Sequence, residues 1–178
     1  HLFCIYIDDV VKRVKSLSLG CNISHVCTSI ILYADDLILL APTVHALQRL
    51  LNACEQELNY LDMIINPKKS VCMRIGPRFD INCTNIHTCD GDPIAWVKEC
   101  RYLGIFICSS RRFKVSFSKA KASYYRSFNA IFGKIGRVAS EEVTLHLMDS
   151  KCMPSLLYGL EACPLTSSDM KSLEFPIN

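Results

Sequence analysis

The sequence predicts an α+β fold in which a small antiparallel sheet with packed helices precedes a mainly helical segment. Three observations predict this fold. Two short apolar runs flank Ala34 and Asp35, a pattern typical of a β-hairpin. Apolar residues at helical spacing follow over residues 43–62, and the chain after Arg111 keeps a helical pattern. We therefore expect the two kinds of structure in successive parts of the chain.

The length and composition allow one sizeable domain, or one domain with an appendage. The chain has 178 residues, 50% of them hydrophobic, so it can bury a core. We place the boundary near Ser110, which gives parts of residues 1–110 and 111–178. The first residue is His1, and no basic signal-peptide end precedes the apolar start. We expect that the sequence begins within a longer protein.

The first predicted elements are a helix and a hairpin. Residues 2–15 keep a rough helical period and end with Lys and Arg residues, which suit a helix C-terminus. Residues 25–33 and 36–40 are rich in Ile, Leu, Val and Tyr, as strands are. These two runs predict a hairpin with Asp35 and Asp36 at its tip.

An amphipathic helix is predicted next, beginning at Pro42 and Thr43. Its apolar residues recur at steps of three and four: Val44, Leu47, Leu50, Leu51, Cys54, Leu58 and Leu61. The sequence NPKKS at residues 66–70 ends this pattern, and SVCMRIG is expected to form a strand. Residues 76–93 predict a loop with short strands.

The stretch AWVKECRYLGIFI alternates weakly between polar and apolar residues and predicts a second hairpin. After it we expect helices, with breaks near residues 133–136, at Pro154, and at Cys163 and Pro164. The apolar run SIILYADDLILLAP is too short for a membrane helix and has two charges at its centre. We therefore expect no membrane partner.

The net charge of +3 conceals an uneven distribution of charge along the chain. Residues 98–137 contain ten basic residues and one acidic residue, a net charge of +9, which leaves −6 for the remainder. A concentration of this kind favours an anionic polymer as partner. The alternative is that these side chains are the solvated faces of ordinary helices.

The chain contains eleven cysteines, none of them in a C-x-x-C pair. Cys83, His87 and Cys89 come closest to a metal cluster, but their spacing suits tetrahedral zinc poorly. We interpret the cysteines instead as reduced thiols of an intracellular protein.

Asp35 and Asp36 are two adjacent carboxylates within the most apolar run of the chain. Adjacent carboxylates repel each other, and divalent cations such as Mg²⁺, which prefer oxygen ligands, neutralise them. Two such ions can activate a hydroxyl nucleophile and stabilise the leaving oxygen in phosphoryl transfer. An acidic tip beside a basic segment therefore favours nucleotidyl transfer, and two solvated turn aspartates are the alternative.

The motifs ILYADDLILLA, LDMIINPKKSVCMRI, CRYLGIFI and LLYGLEACPLT occur in this order along the chain. Together they resemble the reverse transcriptases of non-LTR (LINE-type) retrotransposons, from the later part of the palm into the thumb. The resemblance implies a partial palm over residues 1–110 and a helical thumb over residues 111–178. It also implies action in the nucleus.

The resemblance implies roles for residues of the first part. Asp35 would bind the catalytic magnesium ions, Asp36 would be the auxiliary acid of the same metal site, and Tyr33 would lie against the primer end. Asn66 and Lys69 match the next motif, in which a lysine lies near the nucleotide phosphates and protonates the departing pyrophosphate. Lys68 is adjacent and stays an alternative to Lys69.

The later motifs are implied to hold nucleic acid. Tyr102, Leu103 and Gly104 match the hairpin that holds the primer strand. The basic residues that follow, including Arg111, Arg112 and Lys114, would lie along the duplex backbone. A glycine at position 104 also permits the close approach of another backbone.

The implied activity is RNA-directed DNA polymerisation. The enzyme extends a DNA primer on an RNA template, with deoxynucleoside triphosphates and two Mg²⁺ ions. The upstream aspartate and the fingers of the family have no counterpart in the sequence, because Asp8 lies too close to Asp35 to be that aspartate. We therefore expect the isolated chain to be inactive. The alternative is a non-catalytic retrotransposon remnant that at most binds nucleic acid.

Overall fold

The computed structural model describes residues 2–135 and 138–174, which form two compact units. The first unit comprises the described chain up to Cys72 together with Ile81–Trp96, and the second comprises Met73–Asp80 together with the described chain from Val97 onward. The fold is a mixture of helices and small, mainly antiparallel sheets, as the sequence predicts. The assignment of palm and thumb on either side of Ser110 stays a prediction.

Two short helices begin the first unit: α1 (Leu2–Tyr6) and α2 (Asp8–Ser16). The helix predicted over residues 2–15 is thus confirmed, with a break at Ile7. Val10 and Val14 are fully buried, so α2 packs by one face against the core. Its opposite face is charged and carries an ion pair, in which Nζ of Lys12 lies 2.6 Å from a carboxylate oxygen of Asp8.

Two hairpins follow. Strands β1 (Cys21–Ile23) and β2 (Val26–Thr28) pair with each other, as do β3 (Ile30–Tyr33) and β4 (Asp36–Leu39). The hairpin predicted around Ala34 and Asp35 is therefore confirmed. The strand predicted over residues 25–33 is divided in two at Ser29, which is fully buried. The carbonyl oxygen of Ser29 accepts a 2.9 Å hydrogen bond from the backbone N–H of Leu40.

Helix α3 (Val44–Tyr60) confirms the predicted amphipathic helix. It begins at Thr43, whose hydroxyl accepts a 3.1 Å hydrogen bond from the backbone N–H of Ala46, as an N-cap residue does. Its buried apolar residues are Ala46, Leu50, Leu51, Ala53, Cys54 and Leu58. They form the centre of the first unit, where Leu50 and Leu58 pack with α2 and β3.

A small sheet completes the first unit. Strand β5 (Val71–Cys72) is parallel to β7 (Pro93–Trp96), which pairs on its other side with β6 (Ile86–His87). Only two residues of the predicted strand SVCMRIG thus join a ladder. Ala95 and Trp96, predicted as the start of the second hairpin, belong to β7 instead.

The second unit contains a three-stranded antiparallel sheet with β9 (Ile105–Cys108) between β8 (Glu99–Tyr102) and β10 (Lys114–Ser116). The predicted second hairpin is confirmed as β8 and β9. The prediction of helix directly after Arg111 is wrong, because Val115 is buried against the sheet and pairs with Ile107 while Lys114 is exposed. One buried residue between two less buried ones is a strand pattern.

Helices form the rest of the second unit: α4 (Ser118–Ile135), α5 (Glu141–Leu147), α6 (Met153–Leu157) and α7 (Ser167–Glu174). A π-helical turn (Met148–Cys152) joins α5 to α6, and a 3₁₀ turn (Leu160–Ala162) follows α6. The predicted break at Cys163 and Pro164 is confirmed.

The break predicted near residues 133–136 agrees with the end of α4 at Ile135, whereas the break predicted at Pro154 differs from the structure. Gly133 lies within α4, whereas Gly136 lies outside the described residues. Pro154 does not end a helix but lies in the first turn of α6, directly after the π-helical turn.

The core of the helical part is aromatic on one side. Tyr124 stacks with Phe128 at a centroid distance of 6.3 Å, and Phe128 stacks with Phe132 at 5.6 Å. Tyr124 is buried with Cys152, Leu156 and Leu173, so α4 packs against the π-helical turn, α6 and α7. Within residues 2–135 and 138–174, no helix combines the length and the apolar character needed to cross a membrane.

Glu55 is a buried acid on the apolar face of α3, with 3% of its surface exposed. Its carboxylate accepts a 2.7 Å hydrogen bond from the backbone N–H of Cys89. Burial, with the Glu55 charge as a second cause, raises the pKa of Cys54 to about 12, so that thiol stays protonated. Glu55 therefore connects α3 to the turn after β6.

We expect Glu55→Ala to lower the free energy of unfolding by about 1–3 kcal/mol, because it leaves a cavity and removes the acceptor for Cys89. Glu55→Gln keeps an acceptor oxygen and should change the same quantity by less than about 1 kcal/mol. Urea titrations of both variants provide the measurement. Equal losses in the two variants would show that the hydrogen bond contributes nothing.

Candidate functional site

The tip of the β3–β4 hairpin presents the two adjacent aspartates. Tyr33 pairs with Asp36, so Ala34 and Asp35 form a two-residue turn. Ala34 has a φ of +51°, as the first central residue of the tight hairpin turns with a primed type does. Buried Ile30 holds the base of the hairpin in the core, whereas all four tip residues are exposed.

The tip is suited to binding a cation only in part. Mg²⁺ takes six oxygen ligands in near-octahedral geometry, and two carboxylates supply a fraction of them. Among the residues that the structure describes, no three His, Cys, Asp or Glu side chains group as a metal site. Asp8, the other aspartate considered from the sequence, is engaged by Lys12 on the surface of α2, and this ion pair raises the pKa of Lys12.

The segment NPKKS forms a turn that is organised by Asn66. Its side-chain oxygen accepts hydrogen bonds from the backbone N–H groups of Lys68 and Lys69, at 3.1 and 3.2 Å. Its carbonyl oxygen accepts another from Ser70 at 3.0 Å. Both lysine side chains are exposed, so both are placed to meet an anionic group.

The β8–β9 turn consists of Leu103 and Gly104, with φ angles of +45° and +86°. Positive φ at both central residues defines a hairpin turn in which glycine is strongly preferred. Tyr102 pairs with Ile105 across the turn and is half-buried, whereas Leu103 and Gly104 are exposed. The three residues implied to hold a primer thus lie at the end of one hairpin.

Arg111 and Arg112 lie in the connection between β9 and β10, and Lys114 begins β10. All three side chains are exposed. The connection is anchored, because the Ser109 hydroxyl donates to the carbonyl of Arg74 at 2.7 Å and the Ser110 carbonyl accepts from Gly76 at 3.0 Å. Arg111 and Arg112 are therefore held on an anchored loop, and Lys114 is held at the start of the strand that follows it.

Helix α4 carries further basic residues opposite its aromatic side. Because an α-helix turns about 100° per residue, Lys119, Arg126 and Lys134 lie within about 80° of one another. All three are exposed. Lys121 lies on the other side and donates a 2.6 Å hydrogen bond to the Ser172 hydroxyl, which joins α4 to α7. The basic residues of this segment therefore divide into exposed and structural ones.

The cysteine and histidine candidates for zinc do not form a site within the part of the chain that the structure describes. The Cys89 thiol itself also interacts with Glu55 through a side-chain hydrogen bond, which raises the pKa of the thiol. This disfavours the thiolate that zinc requires. Burial raises the pKa of Cys72 to about 11. Cys72 is buried and behaves as a small apolar side chain.

Tyr158 was not among the site residues predicted from the sequence. Its hydroxyl donates a 3.1 Å hydrogen bond to the carbonyl of Leu103, in the β8–β9 turn. The signal available in the sequence was its position in the motif LLYGLEACPLT. The tip with Asp35 and Asp36, called the dyad, and the turn of residues 66–70, called the lysine turn, belong to the first unit. The β8–β9 turn, the exposed cations and Tyr158 belong to the second.

Comparisons with known proteins bear on these features. A family model described as reverse transcriptase (RNA-dependent DNA polymerase) matches residues 1–107, more than half of the chain. The match includes the dyad hairpin, the lysine turn and nearly all of the β8–β9 hairpin. Searches of curated proteins and of solved structures gave no match. The chain belongs to the reverse transcriptase (RNA-dependent DNA polymerase) family.

Proposed function

We propose that the chain is the part of a non-LTR retrotransposon reverse transcriptase that carries the catalytic dyad and the segments after it. Residues 1–110 would be palm and residues 111–178 thumb. The observation that carries the proposal is the exposed Asp35–Asp36 tip, on a buried hairpin, inside the region that matches the reverse transcriptase family. The complete enzyme would extend a DNA primer on an RNA template in the nucleus.

In this proposal the dyad supplies carboxylate ligands to Mg²⁺. Asp35 would be the principal ligand and Asp36 the auxiliary one, and the bound ions would activate the primer hydroxyl and stabilise the leaving oxygen. The tight turn keeps both carboxylates out of the core, where an ionised group would be costly. Tyr33, 61% exposed beside the turn, would lie against the primer end.

The proposed role of Lys69 follows from the turn that holds it. Asn66 fixes the backbone on which Lys69 and Lys68 project, so an ammonium group meets the nucleotide phosphates without reordering the loop. Lys69 would stabilise the triphosphate charge and donate a proton to the departing pyrophosphate. Lys68, held by the same turn, is the alternative donor.

The dyad makes a direct prediction about cation binding. We expect Mn²⁺, used as a paramagnetic substitute for Mg²⁺, to broaden the backbone NMR signals of residues 34–37 at millimolar concentration. Asp35→Asn should remove this broadening, because it removes one of two adjacent carboxylates. Asp8→Asn, a matched exposed aspartate on α2, should leave it unchanged. Equal broadening in native protein and Asp35→Asn would contradict the assigned metal role.

We expect the isolated chain to show no primer extension on an RNA template with Mg²⁺ or Mn²⁺. Two carboxylates do not hold two octahedral ions, and no third ligand joins them within the described residues. A radiolabelled primer-extension assay provides the measurement. Extension that Asp35→Asn abolishes would overturn this expectation.

A non-catalytic retrotransposon remnant that at most binds nucleic acid is the second candidate. Within the described residues no third His, Cys, Asp or Glu groups with the two carboxylates of the tip, and such a tip is also compatible with solvated turn aspartates. It predicts duplex binding by the second unit without cation binding at residues 34–37. The Mn²⁺ experiment therefore separates the two functions.

A further inference from the structure

Two segments 55 residues apart in sequence meet at the β8–β9 turn. Besides the hydrogen bond from Tyr158 to Leu103, the ring of Tyr158 lies directly against Gly104. A Cβ on Gly104 would lie 2.6 Å from Cε1 of that ring. A Cβ on Gly159 would in turn lie 2.9 Å from Cγ2 of Ile105. We call the pair Tyr158 and Gly159 the clasp.

Both glycines at this contact meet two separate requirements. Gly104 and Gly159 have φ angles of +86° and +71°, in the region that favours glycine, and both lack the room for a Cβ. Tyr158 remains 63% exposed, so burial in the core does not account for its position. The contact of Tyr158 is specific to the turn. Its ring covers Gly104, and its hydroxyl donates a hydrogen bond to the carbonyl of Leu103.

We propose that Tyr158 is a positioning residue for the β8–β9 turn. The clasp fixes the turn in one orientation and, with it, the exposed Arg101 and the half-buried Tyr102 of β8. The consequence for primer binding rests on the proposed function. A turn that is ordered beforehand loses less conformational entropy when it binds a nucleic acid strand, which strengthens binding without adding a contact.

The first test is a double-mutant cycle in the full chain, with Gly104→Ala, Tyr158→Ala and the double variant. Gly104→Ala forces an alanine into positive φ and drives its Cβ into the ring, whereas in the Tyr158→Ala background only the φ cost remains. We expect Gly104→Ala to reduce the folding equilibrium constant about tenfold more in the native background than in the Tyr158→Ala background. Additive effects in urea unfolding would overturn the contact.

The second test is the affinity for a fluorescent RNA–DNA primer–template duplex. We expect Gly104→Ala and Tyr158→Ala each to weaken binding about tenfold, and the double variant to bind no worse than either one. Tyr158→Phe keeps the ring and loses one hydrogen bond, so it should weaken binding about threefold. Tyr60→Ala, at a tyrosine 84% exposed on α3, is the matched control and should bind as the native chain does.

The two readouts distinguish positioning from direct contact. If Tyr158 itself stacked on a base, Tyr158→Ala would weaken binding equally in the native chain and in the Gly104→Ala background, and the effects would add. Positioning predicts that they do not add, and that the dependence of binding on salt is unchanged because no phosphate contact is lost. Additive losses, or a Tyr158→Ala chain that binds like the native one, would overturn the proposal.

Failure of the proposed function gives a different result. A native chain that does not bind the duplex removes the proposed function and, with it, the role of Tyr158 in primer binding. The unfolding cycle still decides whether Tyr158 fixes the turn. Coupling in unfolding with no duplex binding would thus show that Tyr158 fixes the turn, and it would overturn the role in primer binding alone.

Discussion

Replacing Gly20 by alanine is expected to lower the free energy of unfolding of the first unit by about 3 kcal/mol or more. A Cβ at this position would lie 2.4 Å from the carbonyl oxygen of Thr28 and 2.6 Å from Cα of Ser29. These are backbone atoms, so no side chain can rotate away and the strand itself must move. Ser29 is fully buried, which leaves it no room to do so.

A displacement of Thr28 and Ser29 would also move the β3–β4 hairpin, which begins at the next residue. The carbonyl of Ser29 accepts the N–H of Leu40, which closes the base of the β3–β4 hairpin. We therefore expect Gly20→Ala to disturb the Asp35–Asp36 tip and to reduce Mn²⁺ binding there, although the variant changes no carboxylate. Urea unfolding and the NMR signals of residues 34–37 measure the two effects.

Gly133→Ala is the matched control for this substitution. Gly133 lies within α4, and among the described residues no atom beyond its chain neighbours and the adjacent helix backbone lies within 4 Å of the position of a Cβ. The same added methyl group should therefore stabilise the protein by about 0.5–1 kcal/mol, since alanine is the better helix former. A Gly20→Ala chain that unfolds within about 1 kcal/mol of the native one would contradict the packing described for residues 28 and 29.

The second large effect is expected from the simultaneous replacement of Arg111, Arg112 and Lys114 by alanine. If each side chain contacts one phosphate, the triple variant should bind a primer–template duplex at least about 30-fold more weakly at roughly 0.1 M salt. The anchored β9–β10 connection carries Arg111 and Arg112, and Lys114 follows at the start of β10, so little ordering is needed on binding. Fluorescence anisotropy with a labelled duplex provides the measurement.

The control must remove the same charge from elsewhere. Lys15, Arg49 and Lys151 are exposed basic residues on α2, α3 and the π-helical turn. Their joint replacement by alanine changes the net charge by the same three units, and we expect it to weaken binding less than about threefold. Equal losses in the two triple variants would mean that net charge, rather than the β9–β10 connection, accounts for binding.

The sequence was sufficient for the features that depend on local pattern. The hairpin with Asp35 and Asp36 was predicted from the two short apolar runs that flank its tip. Helix α3 was predicted from apolar residues at steps of three and four, with Thr43 as an N-cap. The second hairpin was predicted from weak alternation, and the resemblance assigned Leu103 and Gly104 to it. These elements contain most of the proposed site residues.

Features that depend on distant contacts could not be predicted. Strand β10 has three residues, too few to show the alternation of polar and apolar residues that predicts a strand. Its backbone is extended because it pairs with β9. The clasp joins residues 55 apart, and the buried Glu55 finds its hydrogen-bond donor 34 residues away. From the helical pattern alone, Glu55 is a polar residue within an apolar face. Its burial could not be predicted, because its partner Cys89 lies far away in the sequence.

A salt titration of duplex binding tests the central claim most directly, since a polymerase segment must hold the nucleic acid backbone whatever its sequence. Binding of the native chain should fall steeply with salt, with a log–log slope of roughly −0.9 for each phosphate contacted on duplex DNA. The Arg111, Arg112 and Lys114 triple variant should have a slope shallower by about 3 on a DNA duplex, while the Lys15, Arg49 and Lys151 control keeps the native slope. Identical slopes for all three proteins, or no binding by the native chain, would contradict the proposed nucleic-acid interface.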